Sequence, residues 1–306
     1  MILNDLLLDS CKEMYRLSED CTNDFVAFNS SSTTHAASCN WYHSVWQYLR
    51  ILDCVSAPQW HQSFYEEAIK SSLTTSKTPI SILISGTADY SLLYLIINVL
   101  DKKIPPEQGA IIDVVDLCGT PLKICEWYIN KEKANNKDIL SNISVSYYKS
   151  NITLFDRGRK YHMICTDAFL TRFSSLETAS IVSKWHSLLH NGGRIITTVR
   201  IHEKNNAHTS LVEQIKDIRL YIDKIQNRFK NLPPEDLEKM DILIDKLSFM
   251  ALRYIVRMKS NHVGNLSEIK QLFQQANLKP LVVQVASVPG EIRETSYCRL
   301  VAQRED

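Results

Sequence analysis

"ISILISGTADYSLLYLIINVLDKK", residues 80–103, decides the fold. An isoleucine-rich run leads into Gly86, and a second apolar run, Leu92 to Leu100, leads out. Small polar residues and an aspartate lie between them. A short β-branched run, a glycine turn and a longer apolar segment predict a buried strand, a tight connection and a helix. The alternation continues through "AIIDVVDL", "TPLKICEWYINKEK", "ISVSYY", "KYHMICTDAF", "ETASIVSKWHSLL" and "GRIITTVRI". This is β-α-β-α-β-(loop)-β-α-β, and continuous apolar strands alternating with helices predict a parallel sheet covered on both faces.

The flanking regions read differently. Residues 1–77 are expected to be helical, with Trp41, Val45, Tyr48, Leu49 and Leu52 on one side at helical spacing, and residues 28–40 read as a loop. After the fifth strand come two further helical segments. The first starts at a Ser210/Glu213 capping box, and the second restarts after Pro233 and Pro234 and runs to about Val256. A shorter helix, "SEIKQLFQQA", then precedes two strands, "LKPLVVQVAS" and "SYCRLVAQ", the last expected to be antiparallel at the sheet edge. No internal repeat is present.

Composition bounds the partners. The 306 residues are 44% apolar and 23% charged, enough for a sizeable core. With 35 basic and 34 acidic residues there is no basic face by composition, so nucleic acid is not expected as a partner. No apolar run approaches the roughly 20 residues of a membrane span. The start, "MILNDLLLDSCKEMYR", lacks a basic segment, and a cytoplasmic location is expected. The eight cysteines include no C-x-x-C pair and read as reduced core thiols. His35 and His43 near Cys39 have no evident metal partner, no H-E-x-x-H occurs, and no metal is expected. The absence of G-x-S-x-G removes the usual hydrolase signal.

In an open α/β sheet, ligands bind beyond the carboxyl ends of the strands. The residues there are Ser85 to Tyr90, Asp116 to Cys118, Tyr148 to Asn151, Asp167 to Phe169, and Arg200 to His202. Gly86 permits a tight turn. Asp116 can accept hydrogen bonds from both hydroxyls of a ribose, or serve as a helix cap; Thr120 and Pro121 already offer a cap and first-turn pair for the following helix. Asp116 falls 30 positions after Gly86, more than the roughly 20 of a compact dinucleotide fingerprint. Where that fingerprint has G-x-G-x-x-G, this chain has Gly86, Ala88 and Ser91. Asp89 adds a negative charge where a phosphate would sit, a repulsion on the order of a kcal/mol or more. These features argue against NAD and ATP and for a zwitterionic or electropositive ligand.

The ordered set "ILISGTADYS", "VVDLC", "YHMICTDAFLTRF" and "WHSLLHNGGRIITTVRI" resembles the class I S-adenosylmethionine-dependent methyltransferases; its last member reads as a helix, a Gly192-Gly193 turn and the fifth strand, with Asn191 where that family usually has a proline before Gly-Gly. The resemblance covers roughly residues 78–202 and 265–303. It implies a Rossmann-like sheet with an antiparallel last strand, carried by residues 78–306, with a helical insertion at 208–260 and a helical N-terminal cap at 1–77. It implies that Gly86, Thr87, Ala88, Asp89 and Tyr90 pass under the methionine portion of S-adenosylmethionine. Asp116 would hold the ribose and Leu117 the adenine, with Asn151 at the adenine edge. Asp167, Ala168 and Phe169 would line the floor near the transferred methyl group. The implied activity is methyl transfer to a small molecule, with His202 and Asp167 as candidate catalytic groups. Trp41, Tyr42, Trp46 and Arg200 are candidates for the acceptor. A non-catalytic, regulatory protein that binds the same cofactor is the alternative. The exposed insertion helices could pack against a second copy, giving a homodimer.

Overall fold

The computed structural model describes residues 5–21, 39–73, 78–105, 107–135, 141–201, 211–258, 260–261 and 263–305. The helices are α1 (Asp5–Glu19), α2 (Asn40–Ile51), α3 (Gln62–Ser72), α4 (Ser91–Lys103), α5 (Gly119–Ala134), α6 (Ser175–Leu188), α7 (Leu211–Lys230), α8 (Pro234–Met240), α9 (Ile244–Arg257) and α10 (Leu266–Gln275). The strands are β1 (Ile80–Ser85), β2 (Ala110–Asp116), β3 (Ile143–Lys149), β4 (Tyr161–Asp167), β5 (Leu189–Arg200), β6 (Leu278–Val288) and β7 (Thr295–Arg304). Contacts divide the chain into two compact units. The larger holds Ala57–His202, Asn261–Ser287 and Ser296–Asp306, and the smaller Met1–Ser56, Glu203–Ser260 and Val288–Thr295.

The larger unit is a Rossmann-like α/β sheet of seven strands in the order β3-β2-β1-β4-β5-β7-β6. Strands β1 to β5 are parallel to their neighbours, and β7 runs antiparallel to β5. All six residues of β1 are buried, as a central strand covered on both faces requires. The outermost strand, β6, is largely exposed and carries Pro280, which an edge strand tolerates because its N–H side need not pair. Strand order reverses between β1 and β4, which places a switch point beside the β1 turn.

Trp185 of α6 is fully buried in the core on one face of this sheet. Burying an indole contributes on the order of 4 kcal/mol by area. Its Nε1–H donates to Ser85 Oγ at 2.9 Å, so the one polar atom of the ring is satisfied. The Tyr161 hydroxyl donates to the buried Asp113 carboxylate at 2.6 Å, a second polar pair that pins β4 to β2.

Two local expectations are corrected. Gly192 and Gly193 do not form a turn before β5; they lie inside it as a bulge, where pairing with β4 shifts register between Tyr161 and Met163. Gly192 takes φ +75°, and a Cβ on Gly193 would lie 2.9 Å from the carbonyl oxygens of His190 and Tyr161, so the sequence there meets backbone crowding rather than a reversal. The segment after Pro233 is two helices, α8 and α9, because Asp241 adopts a left-handed conformation at φ 52°. Aspartate is among the few residues that tolerate it.

The smaller unit is helical. Tyr42 stacks on Trp46 one turn away at 4.9 Å, and Trp41, Tyr42 and Trp46 all meet Tyr254 of α9. Tyr221 of α7 donates to the Cys54 carbonyl at 3.0 Å, and Lys224 donates to the carbonyls of Gly290 and Glu291. Cys21 and Cys39 are joined as a disulfide, which corrects the expectation of eight reduced thiols; the other six are free and buried. Ser210 of the expected capping box lies outside the described residues, as do residues 28–38 of the expected loop. No helix among the described residues is long and apolar enough to cross a membrane.

Candidate functional site

The turn after β1 is built around Gly86, which takes φ +74° and donates its N–H to the Val115 carbonyl at 2.8 Å. A Cβ there would lie 2.2 Å from Cε2 of Phe169, so glycine is required by backbone conformation and by contact. Thr87 and Ala88 are half-buried. Asp89 is only 2% exposed, and its Oδ1 accepts from the Ser91 N–H at 2.7 Å and from the Ser91 hydroxyl. That oxygen is committed to the first turn of α4, where a negative charge complements the helix N-terminus. Tyr90 is buried and stacks on Tyr128 at 4.9 Å.

Asp116 ends β2 and fastens this turn. Its Oδ2 accepts from the Thr87 N–H at 3.0 Å, and its Oδ1 from the Cys118 N–H at 2.8 Å. The side chain is half-buried, and burial raises its pKa to about 6 against the opposing pull of three backbone N–H groups, those of Cys118, Thr87 and Leu117. A carboxylate has about four acceptor positions, so two backbone bonds leave room for a ligand. The cap of α5 is Cys118, whose Sγ accepts from the Thr120 N–H, and the helix begins at Gly119; the expected Thr120–Pro121 pair falls inside the first turn. Leu117 is half-buried beside it. Beyond β3, Asn151 Oδ1 accepts from both the N–H and the hydroxyl of Thr153 at 3.0 Å. Nearby, Arg157 lies 4.7 Å from the Tyr148 ring.

The β4 end is held by side chains that local pattern did not disclose. Thr198 donates its hydroxyl to Asp167 Oδ1 at 2.6 Å. The Tyr65 hydroxyl, from α3, lies 2.8 Å from both Asp167 Oδ1 and the Thr166 carbonyl. Burial raises the Asp167 pKa to about 6; Thr198 and Tyr65 pull it down, and the charge of Asp89 pushes it up. Burial and then the Asp167 charge push the Tyr65 phenol well above its ordinary value, so it is a donor and not a phenolate. Ala168 is left-handed at φ 48°, a conformation costly for a non-glycine residue. Thr198 Oγ1 accepts its N–H at 3.1 Å, and its carbonyl accepts from the Thr171 hydroxyl at 2.8 Å. The Phe169 ring packs on Phe173 at 4.7 Å and covers Gly86.

The structure therefore brings Gly86 to Tyr90, Asp116, Leu117 and Asp167 to Phe169 to the carboxyl ends of β1, β2 and β4, with Asn151 just beyond β3. Arg200 ends β5 opposite Tyr297. His202 lies outside the described residues. Trp41, Tyr42 and Trp46 form their own cluster within the helical unit. His61 is fully buried and accepts from Arg299 Nε at 3.1 Å; burial, then that guanidinium, lower its pKa to about 3, so it is neutral.

No family model matches the chain, and no curated protein matches it in sequence. Solved structures do resemble it. A SAM-dependent methyltransferase from Methanosarcina mazei is 12% identical with a TM-score of 0.49, over 78% of this chain and 96% of that one. Magnesium protoporphyrin IX methyltransferase from Synechocystis, with bound S-adenosylhomocysteine, is 10% identical with a TM-score of 0.47, over 84% and 93%. An O-methyltransferase family protein from Burkholderia thailandensis is 14% identical with a TM-score of 0.48, over 95% and 68%. None of the three assigns a substrate or a residue role here. The strand order and the antiparallel β7 agree with the Rossmann-like sheet with an antiparallel last strand that the sequence resemblance implies.

Proposed function

We propose that the protein is an S-adenosylmethionine-dependent methyltransferase acting on a small molecule. The observation that carries this reading is Asp116: a half-buried carboxylate at the end of β2, tied through Thr87 to the β1 turn. The donor set fits a nucleoside without phosphates. Asp116 keeps acceptor positions for two ribose hydroxyls, Leu117 offers an apolar contact for adenine, and Asn151 borders that edge. Asp89 and the missing glycines oppose a pyrophosphate. S-adenosylmethionine would supply an electrophilic methyl group on a sulfonium. The chain's part is to align the acceptor and exclude water, which accounts for much of the rate of an in-line displacement.

Asp167 is the group nearest to acid–base work. With a pKa of about 6 and two hydroxyls on its Oδ1, it holds or releases a proton close to neutral pH. An acceptor carrying a proton would use it, and one without would not. His202, beyond β5, is the second candidate base. A regulatory, non-catalytic role is the rival reading, favoured by the Phe169 ring lying directly on Gly86.

Calorimetric titration of S-adenosylmethionine and S-adenosylhomocysteine into the folded chain tests the proposal, and binding of neither ends it. Release of S-adenosylhomocysteine during incubation with candidate acceptors separates the enzyme from the regulator. A second copy is the further partner we infer, for the α9 face bearing exposed Phe249, Leu252 and Val256. Light scattering that gives the monomer mass at working concentration removes it.

A further inference from the structure

We propose that Cys21, Cys39 and His43 form a binding site for a zinc-class divalent metal ion when the two cysteines are reduced. Cys21 follows α1, Cys39 immediately precedes α2, and His43 stands one helical turn beyond Cys39, so the last two share one side of the helix. The ligand atoms of the three residues lie within 4.8 Å of one another. All three are buried, at 7%, 2% and 4% exposure. On a tetrahedral zinc ion, sulfur and nitrogen ligands about 2.3 and 2.0 Å from the metal sit somewhat under 4 Å apart. Once the disulfide is reduced, the two sulfurs can separate to that spacing and, with His43, close around an ion. The Cα atoms of Cys21 and Cys39 are 6.3 Å apart, a separation that suits a disulfide and a shared metal alike.

His43 supplies the second, independent observation. Its Nδ1 is buried and has no hydrogen-bond partner among the described residues. Buried polar atoms are ordinarily satisfied, and the exceptions call for an explanation. A disulfide beside the imidazole gives that atom no strong partner, whereas a metal ion held by the two sulfurs takes its lone pair. Two thiolates and an imidazole select zinc over magnesium or calcium. The site ties the end of α1 to the start of α2 and leaves one tetrahedral position for a further ligand. Metal binding releases the thiol protons and needs both sulfurs as thiolates, so the disulfide and the metal site are exclusive states of one pair.

The test uses the full chain, reduced with a phosphine and stripped with a chelator, then titrated with Co²⁺ and Zn²⁺. The expected result is stoichiometric Co²⁺ binding with a thiolate-to-cobalt charge-transfer band and the strong visible bands of a tetrahedral site, both removed by Zn²⁺. Cys21→Ser should reduce the charge-transfer intensity. His43→Ala should shift the visible bands and weaken binding about tenfold or more, with circular dichroism reporting whether each variant folds. Protection needs no variant: Zn²⁺ should slow alkylation of Cys21 and Cys39 in the wild type, read by mass spectrometry. A reduced, folded wild type that takes up neither ion, or alkylation rates that ignore zinc, would overturn the proposal. So would metal binding that survives unchanged in both folded variants.

Discussion

Asp116 and Asp167 end two strands of the same sheet, are both half-buried, and are both raised to a pKa of about 6 by burial. They are held differently. Asp116 is gripped by backbone N–H groups of its own loop and of the β1 turn. Asp167 is gripped by hydroxyls, from Tyr65 on α3 and Thr198 on β5. A carboxylate fastened to backbone keeps its place whatever the side chains around it do, as a binding group should. One set among hydroxyls sits in a network whose protons can rearrange, as a group that moves a proton should.

Gly86→Ala strikes both ends at once, because the β1 turn and the Phe169 ring of the β4 turn meet there. Strain at positive φ and the clash together should cost about 2 to 5 kcal/mol, measured by urea denaturation. Tyr65→Phe isolates the Asp167 side. It removes one hydroxyl from a buried acceptor and should cost about 1.5 to 3 kcal/mol. It should also move the Asp167 pKa further up, since a hydrogen bond to the charged form is lost; a proton titration of the carboxyl followed by NMR reads this. Asp116→Asn isolates the other side: its amide nitrogen cannot accept from one of the two backbone N–H groups, so it should cost about 1 to 2 kcal/mol of stability and weaken S-adenosylhomocysteine binding by about 1 to 3 kcal/mol.

The smallest effect is in pH. Both carboxylates bind a proton more tightly folded than unfolded, so the stability they contribute is fully present below pH about 4 and lost as pH rises through about 6. Asp167→Asn removes one of them. Relative to the wild type it should gain about 1 kcal/mol between pH 5 and pH 7, after allowance for solvent screening, seen as a shrinking difference in melting temperature. Binding should respond in the opposite sense: below pH 6 a protonated Asp116 accepts fewer ribose hydroxyls, and affinity should fall.

The sheet was legible because strands buried on both faces read as largely apolar runs, such as "ISILI" in β1 and "HMIC" in β4. The strand-end positions then followed by counting. What stayed hidden depends on contacts between distant residues. Tyr65 lies 102 residues from Asp167, in a region that reads only as helical. The Phe169 ring over Gly86 joins two motifs that look separate in the chain. Gly192 and Gly193 mark a bulge in β5, where Gly192 takes a positive φ and backbone carbonyls of β4 and of β5 itself crowd Gly193, a fact no local pattern carries. The break at Asp241 and the meeting of Cys21 with Cys39 are likewise settled by packing within the helical unit.

We propose that these strand ends hold a nucleoside without phosphates, gripped at the ribose by Asp116. One set of calorimetric titrations tests it: S-adenosylhomocysteine, NAD and ATP into the wild type and Asp116→Ala. S-adenosylhomocysteine should bind the wild type, lose about tenfold or more in the variant, and be the one ligand of the three that binds. Tight binding of NAD or ATP, or S-adenosylhomocysteine affinity that is equal in both proteins, would contradict it.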